Sequence, residues 1–332
     1  MNGSGSSNGS GNGSGSGSGS GSGKVNGKSG GNRHSRHFQL SPPDRIFYTV
    51  NYAYLFCCFA LILFPLLNLL SQSFSSAASV YAGKVLLFPV GFNFDGYTHI
   101  VTNKNILSGF KNSVTIAVAG TVISVALTLT AAYPLSRKSL YGRMVFMWLF
   151  TFTMMFNAGL IPNYLLVQKL KMIDSLWALI IPNAVGAWNV IIARTFFQNT
   201  IPEELFDAAN IDGCSDIGVF MRIVLPLSRP IIAIMVLFYA VGIWNSYFDS
   251  LIYLQTQDKF PLQLVLRNIM TSTRVQASMT DSAVTSMDST TLAKVEVMKY
   301  CVIVFSSLPL LLLYPFIQKH FVKGIMIGAV KG

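Results

Sequence analysis

Long apolar runs separated by short polar segments make up most of the sequence after residue 45. Six of these runs hold roughly 20 residues or more, the length that a helix needs to cross about 30 Å of hydrocarbon. They lie at 46–70, 110–134, 143–167, 175–198, 230–254 and 297–318. None alternates like a barrel strand, and a backbone in hydrocarbon must satisfy its own hydrogen bonds, so each run is predicted to be helical. The pattern therefore predicts an all-α polytopic membrane protein with six transmembrane helices.

Composition supports a membrane protein and argues against two other classes. Hydrophobic residues make up 52% of the chain and charged residues 11%, with a mean hydropathy of +0.50, whereas soluble domains carry roughly a quarter charged residues. The formal net charge is +11, but the basic residues are scattered beside the apolar runs and form no single stripe. That distribution argues against nucleic-acid binding and is typical of contact with anionic membrane lipid.

Loop charges and the two ends of the chain indicate its organisation. Residues 1–40 are rich in Gly and Ser and are predicted to be a disordered cytoplasmic tail, whereas residues 41–332 form the transmembrane domain. Lys and Arg concentrate before the first run, after the second, after the fourth and in the C-terminal tail. The positive-inside rule therefore predicts that both termini are cytoplasmic. The four cysteines have no metal-ligand spacing, so neither a metal site nor a disulfide framework is predicted.

Two longer segments, 71–109 and 255–296, are predicted on the outer side of the membrane. The second is rich in Ser, Thr, Asp and Met around 271–291, a composition typical of solvated surface. We interpret this segment as a polar cap over the membrane domain, with a dedicated ligand-binding loop as the alternative.

A loop of mixed charge, 199–229, separates the fourth and fifth runs. Thr200 and Glu203 have the spacing of a capping box, which predicts a short helix over 201–211. Gly213 then permits a turn that a residue with a Cβ would resist. A second helical stretch, 215–225, is predicted to end at Pro226, next to the fifth run. The small and apolar residues of the first helix would let a partner approach its backbone on a narrow face formed by Leu205, Ala208, Ala209 and Asp212.

The same loop resembles the cytoplasmic signature of ATP-binding-cassette (ABC) import permeases. The family carries Glu-Ala-Ala, then Gly after three residues, then Ile-x-Leu-Pro after nine more. This chain has Asp207-Ala208-Ala209, Gly213, Ile223, Leu225 and Pro226 at the matching positions. Asp207 departs from the family's Glu and reaches one methylene less far toward a partner.

Four short sequence segments, in the loop and after it, resemble the carbohydrate branch of this family. The resemblance is specifically to the second permease subunit of maltose-permease-type transporters. The segments are Ala-Asn-Ile-Asp-Gly at 209–213, Val-Leu-Pro-Leu-Ser-Arg-Pro at 224–230, Trp244-Asn245 and the Gly- and Lys-containing tail 321–332. The segment 158–162 is similar to the subgroup that handles larger oligosaccharides and polysaccharide fragments of plant origin. The resemblance covers nearly the whole chain after about residue 40, and it implies the type I ABC importer permease fold.

The resemblance implies a transport subunit of the bacterial cytoplasmic membrane that is not itself an enzyme. Its partners would be a sister permease, two cytoplasmic ATPase subunits and an extracytoplasmic solute-binding protein. No phosphate-cradling Gly-Lys-Ser/Thr loop is present, so ATP and magnesium would be bound by the ATPase subunits and the permease would need no cofactor. The residues expected to couple to the ATPase are Glu204, Leu205, Asp207, Ala208, Ala209, Asp212, Gly213, Ile223, Leu225 and Pro226.

Polar and aromatic residues inside the runs are candidates for a solute path. Asp249 is an acid at a depth where charge is costly unless it faces a cavity or a partner. Trp244 and Tyr247 could stack on sugar rings, or they could belong to the interfacial aromatic belt. Asn245 could hydrogen-bond a sugar hydroxyl, or it could bond between helices. Asn183 and Trp188 in the fourth run are comparable candidates, and the family resemblance also implies that the sister subunit could make most solute contacts.

Three other functions are weighed against carbohydrate import. An ABC permease for another solute would share the loop signature. An ion-coupled secondary transporter would need ionisable residues in mid-span, where Asp249 is nearly alone. In a structural or regulatory membrane protein, the charged loop would be only a solvated connector.

Overall fold

The computed structural model describes residues 42–279 and 289–329, and within those ranges the regular elements are helices, as predicted. The Gly/Ser-rich tail, part of the polar segment 271–291 and the last three residues lie outside the described residues. The helices are α1 (Pro42–Ser73), α2 (Ala77–Tyr81), α3 (Asp95–Thr102), α4 (Lys104–Ser136), α5 (Arg143–Met155), α6 (Leu160–Lys169), α7 (Trp177–Ile180), α8 (Ala187–Thr200), α9 (Glu203–Ile211), α10 (Asp216–Val219), α11 (Leu225–Leu227), α12 (Arg229–Asn245), α13 (Phe248–Tyr253), α14 (Leu262–Met279) and α15 (Ser289–Ala329).

The described residues divide into two compact units, with the boundary after Phe56. Of the first unit the structure describes residues 42–56, which begin α1 and carry exposed apolar side chains such as Phe47 and Phe56. The second unit contains the remainder of α1 and all the other described helices, and it holds the candidate sites described below.

Three of the described helices are each long and apolar enough to span a membrane without a break. They are Pro43–Ser73 in α1, Lys104–Ser136 and Glu296–Pro315 in α15, and they match the first, second and last predicted runs. In the second half of α1, Leu61 and Ile62 are exposed. Such side chains are stable in lipid, so this surface fits a helix that contacts the bilayer.

The other three predicted runs are interrupted in the structure. The run 143–167 consists of α5 and α6, which meet at 113°. At this break Gly159 has a φ of +87°, and its N–H donates to Asn157 Oδ1 at 2.9 Å. The run 175–198 is divided between α7 and α8, and the run 230–254 between α12 and α13. Apolar composition does not reveal such breaks, because neighbouring side chains can satisfy the peptide groups that leave the helix.

Helix α4 lies at the centre of the second unit and packs against α8, α12 and α14. Small residues permit this close approach. A Cβ at Gly109 would lie 3.1 Å from Val265 Cγ2, and a Cβ at Gly120 would lie 2.8 Å from Ile243 Cδ1. Membrane helices commonly associate through such small residues, because close backbone approach increases van der Waals contact.

The buried apolar residues of the described chain form three clusters along α4. One includes Phe197 and Met235 and joins α4, α8, α12 and the charged loop. A second surrounds Trp244 and joins α4 and α12 to α14 and α15. The third includes Ile116 and Val167 and joins α4 to α6, α7 and α13. The first cluster therefore supports the charged loop, and the third lies beside the membrane cavities.

Candidate functional site

The charged loop 199–229 contains α9, the helix predicted to contact a partner. Its N-cap is Pro202, which makes no side-chain cap hydrogen bond. The predicted capping box is therefore wrong, because Thr200 is the last residue of α8 and the Glu203 carboxylate accepts a hydrogen bond from Lys138 instead. The helix starts at Glu203, two residues after the predicted start, and ends at Ile211 as predicted.

Helix α9 has a buried face and an exposed face. Phe206 and Ala209 are 7% and 4% exposed and belong to the apolar cluster of α4, α8 and α12. Leu205, Ala208 and Asp212 are exposed, as expected for residues that contact a partner. Ala209, however, does not lie on the predicted exposed face. Its three-residue spacing from Phe206 places it on the buried side of the helix.

A narrow apolar strip runs along the exposed face of α9. It consists of Leu205, Ala208 and Ile211, of which Ile211 is 87% exposed. The exposed acids beside the strip are Glu204, Asp207 and Asp212. This face combines a small residue at its centre with apolar and acidic edges, and such a surface can seat in a cleft of complementary charge.

The hairpin between α4 and α5 holds the beginning of α9. The Arg137 guanidinium lies 3.6 Å from the centre of the Phe206 ring. Lys138 forms an ion pair with Glu203, and its hydrogen bond lowers the pKa of that carboxyl. From α8, Gln198 Nε2 donates to Ser136 O at 3.2 Å. These contacts attach α9 to the hairpin and the end of α8 to the end of α4.

Gly213 terminates α9 through a Schellman motif. Its φ is +70°, in the left-handed region that favours glycine. The Cys214 N–H donates to Ala209 O at 2.9 Å, and the Gly213 N–H donates to Asn210 O at 3.1 Å. The predicted turn at Gly213 is therefore confirmed, and its hydrogen bonds satisfy two of the last carbonyls of α9.

The second part of the signature leads the chain from the loop into α12. Ile223 and Leu225 are partly buried against the first apolar cluster, and Pro226 is exposed. The predicted helical stretch 215–225 is formed by α10, a π-helical turn and α11, which follow one another without a gap. Pro226 lies within the first positions of α11 and does not end the helical stretch, because proline is tolerated at a helix start.

Two cavities in the membrane domain share the side chains of Asn183 and Asp249. One has a volume of about 370 Å³ and is also lined by Ser113, Ser246 and Ser250. The other, of about 480 Å³, is also lined by Asn157, Asn163 and Tyr253. Amides, hydroxyls and a carboxylate converge here among apolar residues, the combination that binding sites for polar small molecules use.

The Asp249 carboxylate is oriented by two neighbours. Its Oδ2 accepts a hydrogen bond from Asn183 Nδ2 at 2.9 Å and another from Ser246 Oγ at 3.1 Å. Among the described residues its Oδ1 accepts none, so this atom is available to a ligand hydroxyl. The structure thus brings together two of the predicted path residues: Asn183, in the break between α7 and α8, and Asp249, just after the break between α12 and α13.

Tyr239 forms part of the same wall, although the sequence analysis did not select it. Its hydroxyl accepts the Gly186 N–H at 3.1 Å and lies 2.6 Å from Thr128 Oγ1, to which it can therefore donate. This arrangement satisfies a peptide group at the start of α8 and joins α4, α8 and α12. A tyrosine within an apolar run gave little sign of this role, since its partners are distant in sequence.

The remaining predicted path residues occupy different surroundings. Trp244 is 5% exposed, and its Nε1 donates to Ser306 O at 3.1 Å, so it is a core residue and faces neither a sugar nor the interfacial belt. Asn245 Nδ2 donates to Val241 O at 2.9 Å within α12. Tyr247 is partly exposed with the Arg267 guanidinium 5.9 Å from its ring centre, and Trp188 is exposed on α8. None of these four lines either shared cavity.

Asp174 joins the loop before α7 to the loop before α14. This contact was not predicted from the sequence. The Asp174 carboxylate accepts the N–H groups of Gln255 and Thr256, each at 3.0 Å, and pairs with Lys259 at 2.7 Å. The hydrogen bond from Lys259 is the main cause that holds the pKa of Asp174 well below its usual range. Among the described residues no group of His, Cys, Asp or Glu is arranged to hold a metal ion.

Comparison with known proteins places these features in one family. The chain is 42% identical over 290 residues to the polygalacturonan/rhamnogalacturonan transport system permease protein YtcP of Bacillus subtilis, covering 87% of this chain and 99% of that protein. It is 41% identical over 288 residues to Protein LplC of Bacillus subtilis, covering 87% and 96%. No family model matches the chain.

A solved structure is also similar over most of its length. It is the crystal structure of a bacterial ABC transporter involved in the import of the acidic polysaccharide alginate, with a TM-score of 0.75 and 31% identity, covering 85% of this chain and 98% of that chain. The predicted importer permease fold is confirmed, and the chain is a multi-pass membrane transport subunit, not an enzyme. Identity at this level over most of both chains shows that this chain belongs to the permease subunits of ABC importers, in the branch that transports sugars and oligosaccharides.

Proposed function

We propose that the exposed strip of α9 couples this permease to a cytoplasmic ATPase. The observation that carries the proposal is the division of α9 into a buried face, held by Phe206 and Ala209, and an exposed strip around Ala208. The buried face packs against α4, α8 and α12, and residues of α4 and α12 also line the cavity of about 370 Å³. A displacement of α9 would therefore move the helices that surround the solute path.

The partners follow from this role. A sister permease would complete the membrane path, and two ATPase subunits would bind ATP and magnesium, so the permease itself would need no cofactor. An extracytoplasmic solute-binding protein would deliver the solute at the opposite membrane surface. We infer that α9 and both termini lie on the cytoplasmic side of a bacterial cytoplasmic membrane, an orientation that the basic loops support.

We further infer that the solute is an oligosaccharide that passes the cavities beside Asn183 and Asp249. Sugar hydroxyls both donate and accept hydrogen bonds, and the shared wall offers an amide donor and a carboxylate acceptor. The named relatives support this solute class, since the name of one refers to polygalacturonan and rhamnogalacturonan. Hydrogen bonds from Asn183 and Ser246 hold the acceptor in place before a solute arrives.

Co-purification tests the docking proposal directly. The permease is produced together with its sister permease and ATPase subunits, and Ile211→Asp places a charge in the apolar strip of α9. We expect this variant to insert normally and to lose most of its bound ATPase, because a carboxylate replaces an apolar contact beside three other acids. Ile217→Asp, at a 74% exposed position on α10, is the matched control. Retention of the ATPase together with normal transport in the Ile211 variant would remove α9 from the interface.

A further inference from the structure

The segment between α2 and α3 contains ten consecutive uncharged residues that the transport function does not explain. Residues 85–94 read Val-Leu-Leu-Phe-Pro-Val-Gly-Phe-Asn-Phe, and Lys84 and Asp95 lie at the two ends. An apolar stretch of this length is too short to span a bilayer as a helix. Aromatic residues are enriched where a protein meets the interface between hydrocarbon and water.

The apolar side chains of this segment point away from the described protein. Phe88 is 81% exposed, Leu86 is 64% exposed and Phe92 is 63% exposed. Val85 is buried in the cluster around Trp244, so one residue anchors the segment while its neighbours remain exposed. A contiguous apolar surface of this kind marks a contact with a partner or with a membrane.

Carbonyl groups at the start of the segment accept hydrogen bonds from the end of α1. Asn68 Nδ2 donates to Leu86 O at 2.6 Å, and Ser71 Oγ donates to Leu87 O at 2.5 Å. These donors come from a helix that is apolar enough to span the membrane. Irregular backbone is tolerated at membrane depth only where such internal partners exist.

The linker after α1 satisfies further groups of the segment. The Val90 N–H donates to Ser75 Oγ at 3.0 Å, and Val90 O accepts the Ser76 N–H at 3.1 Å. The Asn93 N–H donates to Phe74 O at 2.9 Å. Pro89 has no N–H to satisfy. The segment is therefore exposed in its side chains, while peptide groups at both ends and at Val90 are internally paired.

The segment also continues the lipid-facing surface of α1. Its backbone bonds lie beside Asn68 and Ser71, within the last turns of that helix, where Leu66 and Leu70 are exposed. At the far end of the segment, the Phe92 and Phe74 rings stack at 5.6 Å. The exposed apolar side chains at the end of α1 and those of the segment thus lie close together.

We propose that residues 85–94 form an interfacial loop whose side chains insert into the membrane, with Phe88 in contact with lipid acyl chains. Lys84 and Asp95 would remain among the headgroups, where charged side chains are stable. Assignment to the outer leaflet rests on the orientation proposed above, whereas the lipid contact itself does not. The sister permease is the competing occupant of this surface, and the experiment separates the two.

Spin-label accessibility measures the surroundings of Phe88 in the complete transporter. The four native cysteines are replaced by alanine, Phe88→Cys is introduced, and the labelled complex is reconstituted into lipid bilayers. Collision rates are measured with oxygen, which concentrates in hydrocarbon, and with a water-soluble nickel complex. Leu61→Cys, at a 72% exposed position in α1, is the lipid reference, and Asp258→Cys, in the turn before α14, is the water reference.

The proposal predicts that the Phe88 site has high oxygen and low nickel accessibility, as at Leu61. A high nickel accessibility like that at Asp258 would overturn the proposal, because the loop would lie in water. Low accessibility to both reagents would also overturn it, because the loop would be covered by the sister permease. Retained transport of the Phe88→Cys complex verifies that the labelled protein is folded.

Discussion

The charged loop and the membrane cavities differ in how directly local sequence determines what a side chain contacts. In the loop, three-residue spacing places Phe206 and Ala209 on one face of α9, and Gly213 ends the helix through hydrogen bonds to residues a few positions away. At the cavities, Asn183 and Asp249 meet across 66 positions of sequence. Local geometry therefore defines the loop, whereas tertiary packing defines the solute path.

The largest effect on stability is expected at Trp244, which the sequence alone does not distinguish from Trp188. Trp244→Ala removes a buried indole and its bond to Ser306 O and should lower the free energy of unfolding by about 3–5 kcal/mol. Trp188→Ala removes an exposed side chain and should change it by less than about 0.5 kcal/mol. Thermal unfolding in detergent compares the two variants. Equal losses of Tm would contradict the distinction between core and surface at these sites.

The next effect concerns the turn after α9. A Cβ at Gly213 meets no atom within 4 Å, so a substitution there acts through the backbone alone. Gly213→Val should cost about 1–2 kcal/mol, because a side chain at a φ of +70° is strained. The variant should also lose solute-stimulated ATP hydrolysis as α9 changes its exit angle. Gly213→Asn tolerates the left-handed conformation and should retain most stimulation; equal loss in both variants would exclude the backbone explanation.

A third substitution distinguishes the function of the solute path from that of the charged loop. Asp249→Asn removes the charged acceptor of the shared wall and should weaken transport about tenfold, since a hydrogen bond to a charged group contributes roughly 1.5–3 kcal/mol. Basal ATP hydrolysis should be unchanged, because Asp249 is absent from the apolar cluster that supports α9. Asn245→Ala is the control, since that amide bonds within α12. A greater transport loss in the Asn245 variant would contradict the assignment of Asp249, and not Asn245, to the solute path.

The smallest effect is expected at Asp174, where two loops are joined at the surface. Lys259 lowers the folded-state pKa of Asp174, so the stabilisation is present above the unfolded pKa and is lost as pH falls through the folded value. The Tm difference between the unmodified protein and Asp174→Asn should therefore persist at about pH 4, near the usual carboxyl pKa, and close only in more acid solution. A difference that already vanishes above pH 5 would exclude this linkage.

Much of the loop and little of the cavities could be predicted from sequence. The end of α9 and the Gly213 turn follow from local rules, but the Thr200–Glu203 cap does not form, since Lys138 engages Glu203. Trp244 and Trp188 could not be told apart, because burial depends on helices distant in sequence. The breaks in three apolar runs were also missed, because apolar composition is similar on both sides of each break.

The most direct test compares the adjacent alanines of α9. Ala209→Leu should lower the free energy of unfolding by about 1–3 kcal/mol, because it adds volume to a packed core. Ala208→Leu should leave Tm unchanged and abolish solute-stimulated ATP hydrolysis, because it adds bulk to the exposed strip. Both properties are measured on the reconstituted transporter. Normal stimulation in the Ala208 variant, with full stability in the Ala209 variant, would contradict the division of α9 into a core face and a docking face.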